Sequence, residues 1–581
     1  MKVAGRSRGA AMDGRQVPRV ALLGSGTVGH LPQVLASPCA AYGLHPQWYV
    51  APYQQYHQEA LHRSSGLATF DPHVTIVMVD AQALLHGDEI TWFRLSQTRR
   101  RRAARSALQE FLHLVEAVVQ RTRGLVLVHN LEVPADSPLG ILETKQPFGV
   151  REMVQWINRQ LARHFRDHAR VFVFDYDGFL SRLGKDEAHD ARLLHLADLR
   201  VGPQIWQQLG EEYARYLLAL QGRIKKCLVV DLDNTLWGGV IGEDGFERIQ
   251  LGPTPPGNAF VALQRHLLAL FERGVLLAVN SAHHASEALT VIREHPAMVL
   301  REEHFAALAI NWESKVENLR AIARELNLGL ESLVFLDDDP VQRGLVRTQL
   351  PEVQVVELPQ DPSGYVHTLK RLVAFDTLQL TPEDHRRGAM YIEERHRRES
   401  AQQAASVEEF LRQLEIQIRF RAADRFLLPR LAQLTQRTHQ FHVTLDRYTE
   451  AELEQWLELP ERQMYAIEVA DRFGDQGVSG AVGVSRAGTS WNLAPFLFSC
   501  RVLGKGVERA VLATLARLAQ AEGIRELQCR YAPSEKNEPA RRFLQDVGFQ
   551  CTATEGPGSQ VWRVVVAQVS PAPSFIRVSV P

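Results

Sequence analysis

The chain of 581 residues is poor in cysteine: it has five, which are scattered and include no Cys-x-x-Cys pair. This pattern argues against a disulfide framework and a zinc knuckle. The sequence also lacks an apolar run of membrane-spanning length, and residues 1–17 are polar and basic, unlike a signal peptide. Because 66 basic residues face 67 acidic ones, the net charge of −1 gives no global attraction to nucleic acid or anionic membranes. We therefore expect a reduced, cytoplasmic protein that binds neither of them.

The composition is that of a soluble globular protein, with 45% apolar and 23% charged residues. The length suggests roughly four domains of about 150 residues each, or three larger ones. Composition and periodicity predict a multidomain α/β protein with these parts: a flexible N-terminal tail (1–17), an α/β domain (18–222), a second α/β domain (223–375), a helical linker (376–405), an α+β domain (406–567) and a C-terminal tail (568–581).

Short apolar runs alternate with helical patterns in the first two domains, which predicts parallel sheets. Ten of the seventeen residues from Glu383 to Glu399 are charged, so we expect the linker to be a solvated helix. The third domain mixes strands with two long helical stretches. The principal runs predicted to be strands are Val20–Leu23, Val74–Val79, Leu125–Val128, Val171–Phe174, Cys227–Val230, Val275–Val279, Leu333–Leu336, Glu415–Phe420, Tyr465–Val469, Phe496–Cys500 and Leu527–Tyr531.

Acidic residues follow two of the predicted strands of the second domain. Asp231 and Asp233 come after Cys227–Val230, and Asp337, Asp338 and Asp339 come after Leu333–Leu336. Because parallel strands end at the same edge of a sheet, these carboxylates converge where open α/β sheets bind ligands. Each acid taken alone is equally compatible with a helix cap.

A cluster of carboxylates requires a cation or protonation to limit repulsion. Oxygen ligands without cysteine or histidine alongside favour a hard cation, most often Mg²⁺, which commonly accompanies phosphate chemistry. Ser281 follows the predicted strand Val275–Val279, so we expect the Ser281 hydroxyl at the same edge. Lys315 can supply compensating positive charge, although a lysine there is also compatible with a plain surface residue.

The order Asp-x-Asp-x-Thr, Ser, Lys and Asp-Asp resembles the four motifs of the haloacid dehalogenase (HAD) superfamily. The resemblance implies that Asp231 is a nucleophile that becomes an aspartyl phosphate and that Asp233 is the general acid and base. Matched by position, the residues implied to bind phosphate are Thr235, Ser281 and Lys315, and those implied to hold Mg²⁺ are Asp231, Asp233, Asp337 and Asp338.

A longer stretch, Asp-Leu-Asp-Asn-Thr-Leu-Trp-Gly-Gly-Val-Ile-Gly-Glu-Asp-Gly from Asp231, is similar to the FkbH-like subfamily, as is Asn-Trp-Glu-Ser-Lys ending at Lys315. This subfamily loads a glyceryl unit from 1,3-bisphosphoglycerate onto an acyl carrier protein. One departure is Ser-Ala-His at residues 281–283, where the subfamily pattern has Ser-Lys-Asn. Only 45 residues separate Thr235 from Ser281 and 33 separate Ser281 from Lys315, so we expect a capless, open site.

The third domain contains Arg501-x-x-Gly504-x-Gly506 after a predicted strand, and Asn537 farther on. These residues resemble the pyrophosphate loop and a second segment of the N-acetyltransferase-like (GNAT) fold, which implies a site for phosphopantetheine. An ordinary glycine turn that caps a helix remains the alternative. Cys500, next to the loop, is a candidate for carrying the glyceryl group as a thioester, or else a small buried apolar residue.

The first domain begins with Gly24-x-Gly26-x-x-Gly29 after a strand, which matches a dinucleotide fingerprint. No acid occurs between Asp13 and Glu59, so NAD binding is not expected. The region loosely resembles the SGNH-hydrolase-type domain fused to many FkbH-like proteins. We expect it to be a scaffold or a docking surface for the carrier.

The FkbH-like resemblance implies an enzyme that transfers a glyceryl group from D-1,3-bisphosphoglycerate to the phosphopantetheine arm of an acyl carrier protein, with dephosphorylation, for polyketide or related biosynthesis. No Gly-x-x-x-x-Gly-Lys-Ser/Thr loop for ATP is present, and a mixed anhydride requires none. The alternative is a HAD-type phosphatase that acts on a carrier-bound or small phosphorylated substrate. A scaffold without enzymatic activity is a more distant possibility.

Overall fold

The computed structural model describes residues 17–580 except 382–383, 385, 387, 394–396, 398–405 and 556–557. The predicted N-terminal tail therefore lies almost wholly outside the described residues. The chain divides into two compact units, with the boundary between Leu217 and Leu218. This boundary is close to the predicted one at 222/223, but the second unit holds both the second and the third predicted domains.

The first unit is built on a parallel five-stranded sheet in the order β2-β1-β3-β4-β5. Its central strands are almost wholly buried, as their unbroken apolar runs predict for a sheet covered on both faces. The strands are β1 (Arg19–Gly24), β2 (Gln47–Val50), β3 (Val74–Met78), β4 (Leu125–His129) and β5 (Val171–Phe174).

The helices of the first unit connect these strands. The longest, α6, starts where the Ser96 hydroxyl accepts a hydrogen bond from the Arg99 amide, and its apolar stripe faces the core. The helices are α1 (Leu31–Ala41), α2 (Tyr56–Leu61), α3 (Gly66–Phe70), α4 (Ala81–Leu85), α5 (Glu89–Phe93), α6 (Gln97–Arg121), α7 (Val150–His164), α8 (Tyr176–Leu183), α9 (Lys185–Ala188), α10 (Ala191–Ala197) and α11 (Trp206–Leu220).

The second unit begins with another parallel sheet, in the order β10-β9-β6-β7-β8. Its strands are β6 (Cys227–Val230), β7 (Leu276–Ser281), β8 (Phe305–Ile310), β9 (Leu333–Leu336) and β10 (Gln354–Val355). The three predicted strands are confirmed. The sequence pattern missed β8, because an alanine-rich run has a weak preference for strands.

Helices cover this second sheet and return the chain to its starting edge, so that all five strands end on one side. They are α12 (Ile241–Asp244), α13 (Gly257–Glu272), α14 (Ala285–Glu294), α15 (Lys315–Glu325), α16 (Pro340–Gln349) and α17 (Tyr365–Lys370). Across the part of the chain that the structure describes, no helix is both long enough and apolar enough to cross a membrane.

The remainder of the second unit is a mostly antiparallel sheet in the order β17-β18-β16-β15-β14-β13-β11-β19, with β12 paired to β15. β15 and β16 run parallel at residues 490–492 and 526–528. The strands are β11 (Gln417–Ala422), β12 (Phe441–His442), β13 (Arg462–Asp471), β14 (Gly474–Ala487), β15 (Ser490–Phe498), β16 (Glu526–Tyr531), β17 (Gln550–Glu555), β18 (Ser559–Val565) and β19 (Arg577–Ser579).

Among the residues that the structure describes, these helices accompany the sheet: α18 (Val407–Gln413), α19 (Leu428–Arg437), α20 (Glu450–Leu457), α21 (Val507–Ala521) and α22 (Glu538–Asp546). The largest hydrophobic core of the domain lies between the sheet and its helices. It contains the aromatic side chains of Phe441, Phe496 and Phe498, whose rings meet at steep angles.

The linker and the C-terminal tail both differ from prediction. Among the described linker residues, Asp384 and Arg397 are buried; Arg397 Nε lies 2.6 Å from Asp471 Oδ2. These described residues of the linker are therefore packed rather than solvated. The other part of the predicted helix lies partly outside the described residues. The C-terminal segment adds strand β19 beside β11, and Ile576 enters the core.

We expect Ile576→Ala to lower the free energy of unfolding by about 2–3 kcal/mol, because it removes a buried side chain that fastens β19 to the sheet. The measurement is urea denaturation of the full chain, followed by fluorescence. Arg577→Ala, at the exposed neighbouring position, is the control and is expected to change stability by less than about 0.5 kcal/mol. Equal stability of both variants would mean that the segment is a dispensable tail.

Candidate functional site

Three carboxylates meet at the carboxyl edge of the second parallel sheet. Asp231 follows β6, and Asp337 and Asp338 follow the adjacent strand β9. One oxygen atom from each of the three side chains lies within 4.8 Å of the others. The convergence predicted from the strand order is therefore present in the structure.

Lys315 lies between two of these carboxylates. It is the first residue of α15, and its Nζ atom is 2.7 Å from Asp231 Oδ1 and 2.8 Å from Asp337 Oδ2. The side chain is buried, which rules out the reading of a plain surface lysine. Burial acts to lower the pKa of Lys315, but the two carboxylates outweigh it and raise this pKa, so the ammonium stays charged.

Two acids of the group, Asp337 and Asp338, have pKa values above their ordinary range. Burial, followed by repulsion from Asp231, raises the pKa of Asp337 to about 6. The same two causes raise the pKa of Asp338. A positive charge that approaches Asp337 and Asp338 therefore stabilises their ionised forms.

Hydrogen bonds hold the loop after β9 in place. The Thr235 hydroxyl accepts from the Asp338 amide at 3.2 Å, and Arg343 Nη1 donates to the carbonyl oxygens of Asp337 at 2.8 Å and Asp338 at 2.6 Å. Asp339 caps α16 by accepting from the Val341 amide at 2.8 Å. Of the three aspartates that follow β9, Asp339 is the one that caps the next helix.

Asp233 has a different set of partners. Its Oδ1 atom accepts hydrogen bonds from Trp237 Nε1 at 2.8 Å and from the Ile241 amide at 3.2 Å. Its Oδ2 atom lies 2.7 Å from His283 Nε2, and His283 Nδ1 lies 2.7 Å from the Ser281 hydroxyl. The Ser281 hydroxyl, predicted to bind phosphate, therefore has an imidazole partner within the site.

The donor set fits a hard divalent cation. Asp231, Asp337 and Asp338 offer oxygen atoms at a spacing that one ion can bridge. Burial, and then repulsion from Asp231, raises the pKa of Asp337 in spite of Lys315. Asp233, predicted to be a fourth ligand, is outside this group because its two oxygens face Trp237, Ile241 and His283. Three of the four predicted ligands therefore lie within reach of one ion, and a ligand role for Asp233 stays a prediction.

Sequence reasoning missed two side chains that organise the site. His283 is adjacent in sequence to no predicted residue, and its contact with Asp233 spans 50 residues. Arg343 lies within α16 and donates a hydrogen bond to the Asp337 carbonyl oxygen in the loop after β9. The departure of residues 281–283 from the FkbH-like pattern was the available signal for His283, but it does not say which carboxylate the ring meets.

Cys500 lies at the opposite end of the sheet from the carboxylates. Together with Lys226, Leu276 and Ser332, which stand at the starts of strands, it lines a cavity of about 90 Å³. Its carbonyl oxygen accepts from Asn327 Nδ2 at 2.8 Å, and its Sγ atom is 3.8 Å from the Tyr391 hydroxyl. The cysteine is half-buried, so its thiol is neither a fully packed core group nor an open surface group.

The residues predicted to bind pantetheine are engaged within the protein. The Gly504 amide donates to Glu508 Oε1 at 3.0 Å. Gly506 immediately precedes α21, and side chains from residues 573–576 of the C-terminal segment lie next to it. The Arg501 Nε atom donates to the Ser499 hydroxyl at 3.3 Å.

Asn537 is fully buried, and its side chain exchanges hydrogen bonds with Tyr531, Ser534, His442 and Ala532. Its amide holds two loops together and has no group left for a ligand. The structure thus gives Asn537 a structural role in place of the predicted one.

The first unit has a larger cavity of its own, about 580 Å³, at the carboxyl edge of its sheet. Ser25 lines it, and its hydroxyl donates to Asp80 Oδ2 at 2.6 Å. His189 lines the same cavity, and a hydrogen bond to Glu132 raises its pKa. Sequence reasoning did not single out His189, and no SGNH-type assignment follows from these contacts.

A solved structure supports a phosphatase fold for this chain. The N-terminal part of the protein BF1531 from Bacteroides fragilis, which contains a phosphatase domain complexed with Mg, is 29% identical with a TM-score of 0.58. The match covers 63% of this chain and 96% of that chain. The HAD-like character expected from the motifs is supported at this level, while the FkbH-like subfamily is not.

GNAT acetyltransferases match the C-terminal part of the chain at lower similarity. One from Desulfovibrio desulfuricans is 18% identical with a TM-score of 0.21, and covers 26% of this chain and 99% of that chain. The ribosomal-protein-S18-alanine N-acetyltransferase from Escherichia coli is 14% identical with a TM-score of 0.21, over 27% and 97%. No protein-family model matches the chain, and no curated protein is similar to it.

We expect the affinity of the metal-stripped protein for Mg²⁺ to rise with pH up to about 6 and then to level off, because a proton on Asp337 competes with the cation below that value. Isothermal titration calorimetry at several pH values measures it. Asp338→Asn is expected to weaken binding at least about tenfold. Asp339→Asn, which removes only the helix cap, is the control; equal loss in both variants would contradict the assigned ligands.

Proposed function

We propose that the protein is a magnesium-dependent transferase that takes D-1,3-bisphosphoglycerate, places the glyceryl group on the phosphopantetheine thiol of an acyl carrier protein, and removes phosphate. The observation that carries the proposal is the cluster of Asp231, Asp337 and Asp338 around Lys315. It is supported by the likeness to a Mg-bound phosphatase domain. The FkbH-like motifs suggest the glyceryl substrate, the carrier and a role in polyketide or related biosynthesis.

The phosphatase half begins at Asp231. A carboxylate oxygen attacks phosphorus, and the bond from phosphorus to the leaving oxygen breaks as the aspartyl phosphate forms. Asp233 gives a proton to the leaving oxygen and later takes one from the water that releases inorganic phosphate. Lys315 offsets the charge of Asp231 throughout. Mg²⁺ held by Asp231, Asp337 and Asp338 would supply further positive charge for the phosphate oxygens.

The two phosphates of the substrate require different chemistry. The C1 phosphate is part of a mixed anhydride, so a thiol sulfur attacks the carbonyl carbon, a thioester forms, and the phosphate leaves with the thiol proton. The C3 phosphate is an ester of an alcohol, whose oxygen needs a proton in order to leave. Because Asp233 is built into the carboxylate site, we assign that site to the C3 ester.

The two half-reactions are separated in space. Lys315 opens α15 beside Asp231, and Asn327, which binds the Cys500 carbonyl, lies just past the last turn of the same helix. The eleven residues of this helix correspond to about 17 Å. A glyceryl group therefore cannot touch both places at once, and a flexible prosthetic arm on a carrier would bridge them.

A phosphatase that acts on a carrier-bound or small phosphorylated substrate is the second candidate. The observation that favours it is the occupied loop of the third domain, where Glu508 accepts from the Gly504 amide that an anionic ligand would need. In that case the third domain binds the carrier without transferring an acyl group.

Asp231→Asn removes the nucleophile and preserves the side-chain shape. With D-1,3-bisphosphoglycerate, Mg²⁺ and holo carrier protein, we expect the wild type to add glyceryl to the carrier and the variant to add phosphoglyceryl instead. Dephosphorylation should fall by at least about 10³-fold. Intact mass spectrometry distinguishes the products, with Asp244→Asn as the control. Phosphate release by the wild type without carrier loading would favour the phosphatase alternative.

Cys500→Ala tests the thiol shuttle. If the glyceryl group passes through this thiol, carrier loading falls at least about 10²-fold, while release of phosphate from 3-phosphoglycerate is unchanged. Cys551→Ala, at an exposed cysteine of the same domain, is the control. Loading is followed by intact mass of the carrier, and trapped glyceryl is sought on the enzyme by peptide mapping. Unimpaired loading by Cys500→Ala would exclude the shuttle.

A further inference from the structure

His283 connects two residues of the carboxylate site that are far apart in sequence. It lies in the turn between β7 and α14, and its ring is buried. Its Nδ1 atom is 2.7 Å from the Ser281 hydroxyl, and its Nε2 atom is 2.7 Å from Asp233 Oδ2. Both ring nitrogens are therefore committed, and the three side chains form one continuous row.

The partners of Asp233 decide which of its oxygens can carry a proton. Oδ1 faces Trp237 Nε1 and the Ile241 amide, which are donors only, so Oδ1 must accept from both. A proton that Asp233 gives or takes is therefore restricted to Oδ2. That oxygen is the one in contact with His283.

A neutral imidazole in this position matches both states of Asp233. With the carboxylate ionised, His283 Nε2–H donates to Oδ2 and the Ser281 hydroxyl donates to Nδ1. With Oδ2 protonated, Nε2–H still donates to Oδ2, which keeps acceptor capacity beside its own proton, so the Oδ2–H bond is left to face the leaving oxygen while the Ser281 hydroxyl continues to donate to Nδ1. The row thus stays fully hydrogen-bonded in both half-reactions, and neither leaves a buried polar group unpaired.

We propose that His283 is a positioning residue that holds Asp233 Oδ2 for proton transfer and thereby suits the site to phosphate esters of aliphatic alcohols. This inference rests on the proposed function. An alkoxide leaving oxygen needs a proton from Asp233, whereas the leaving group of an acyl phosphate is a stable carboxylate and needs none. The contribution of His283 to the first chemical step should therefore depend on the leaving group.

The test compares 3-phosphoglycerate with acetyl phosphate as substrates of the full-length protein in the presence of Mg²⁺. For His283→Ala, we expect kcat/KM on 3-phosphoglycerate to fall about 10²-fold and kcat/KM on acetyl phosphate to stay within about threefold, because kcat/KM reports the step that expels the leaving group. The value of kcat should fall on both substrates, since Asp233 must also take a proton from water.

Two further variants separate positioning from simple loss of structure. His283→Asn keeps a hydrogen-bonding group beside Asp233, and we expect it to recover part of the lost kcat/KM on 3-phosphoglycerate. His266→Ala is the matched control and should behave as wild type, because this half-buried histidine of the same domain lies away from Asp233 and its Nδ1 atom contacts the Ala262 carbonyl of its own helix. If His283→Ala fails to fold, the comparison of substrates is made with His283→Asn, in which the same selectivity is expected in weaker form.

The outcomes for the two proposals are distinct. Asp231→Asn should abolish turnover of both substrates, and turnover that survives it overturns the proposed function together with this inference. With Asp231→Asn inactive, an equal loss of kcat/KM on both substrates in the His283 variants, or no loss on 3-phosphoglycerate, overturns the role of His283 alone.

Discussion

The contact between Lys315 and the carboxylates of Asp231 and Asp337 is the interaction on which the site depends. Three acids within 4.8 Å of one another repel strongly once burial removes the water that would screen them. The ammonium group, 2.7 and 2.8 Å from its partners, relieves part of that repulsion and leaves an excess of negative charge. This excess suits the site to a cation, which the proposed function uses to hold a phosphate group.

The parallel sheet imposes the second constraint. Because every strand of β6 to β10 points the same way, the residues after the strands gather at one edge and those before them gather at the other. The carboxylates lie at the first edge, and Cys500 lies near the second, beside Lys226 and Ser332. A reaction that uses both edges requires a substrate that travels, which is the property of a tethered prosthetic arm.

Asp231 and Asp233 are two residues apart in sequence but have different partners in the structure. Asp231 faces Lys315 and the carboxylates of Asp337 and Asp338, which fits the nucleophile role proposed for it. Asp233 is surrounded by donors on one oxygen and by His283 on the other, which suits a group that gives and takes a proton. Two acids of one motif thus receive different chemistry from their surroundings.

The buried apolar runs and the acids that follow them were enough to predict most strands and the meeting of Asp231 with Asp337 and Asp338, because strand direction in a parallel sheet is set locally by helical connections. The alanine-rich strand β8, the pairing of β19 with β11 and the contact between His283 and Asp233 were not predictable in this way. The hydrogen bond from the Gly504 amide to Glu508, in the predicted pantetheine loop, was not predictable either. In each case the outcome depended on which distant side chain or strand filled the neighbouring space, and only the packing of the whole chain decides that.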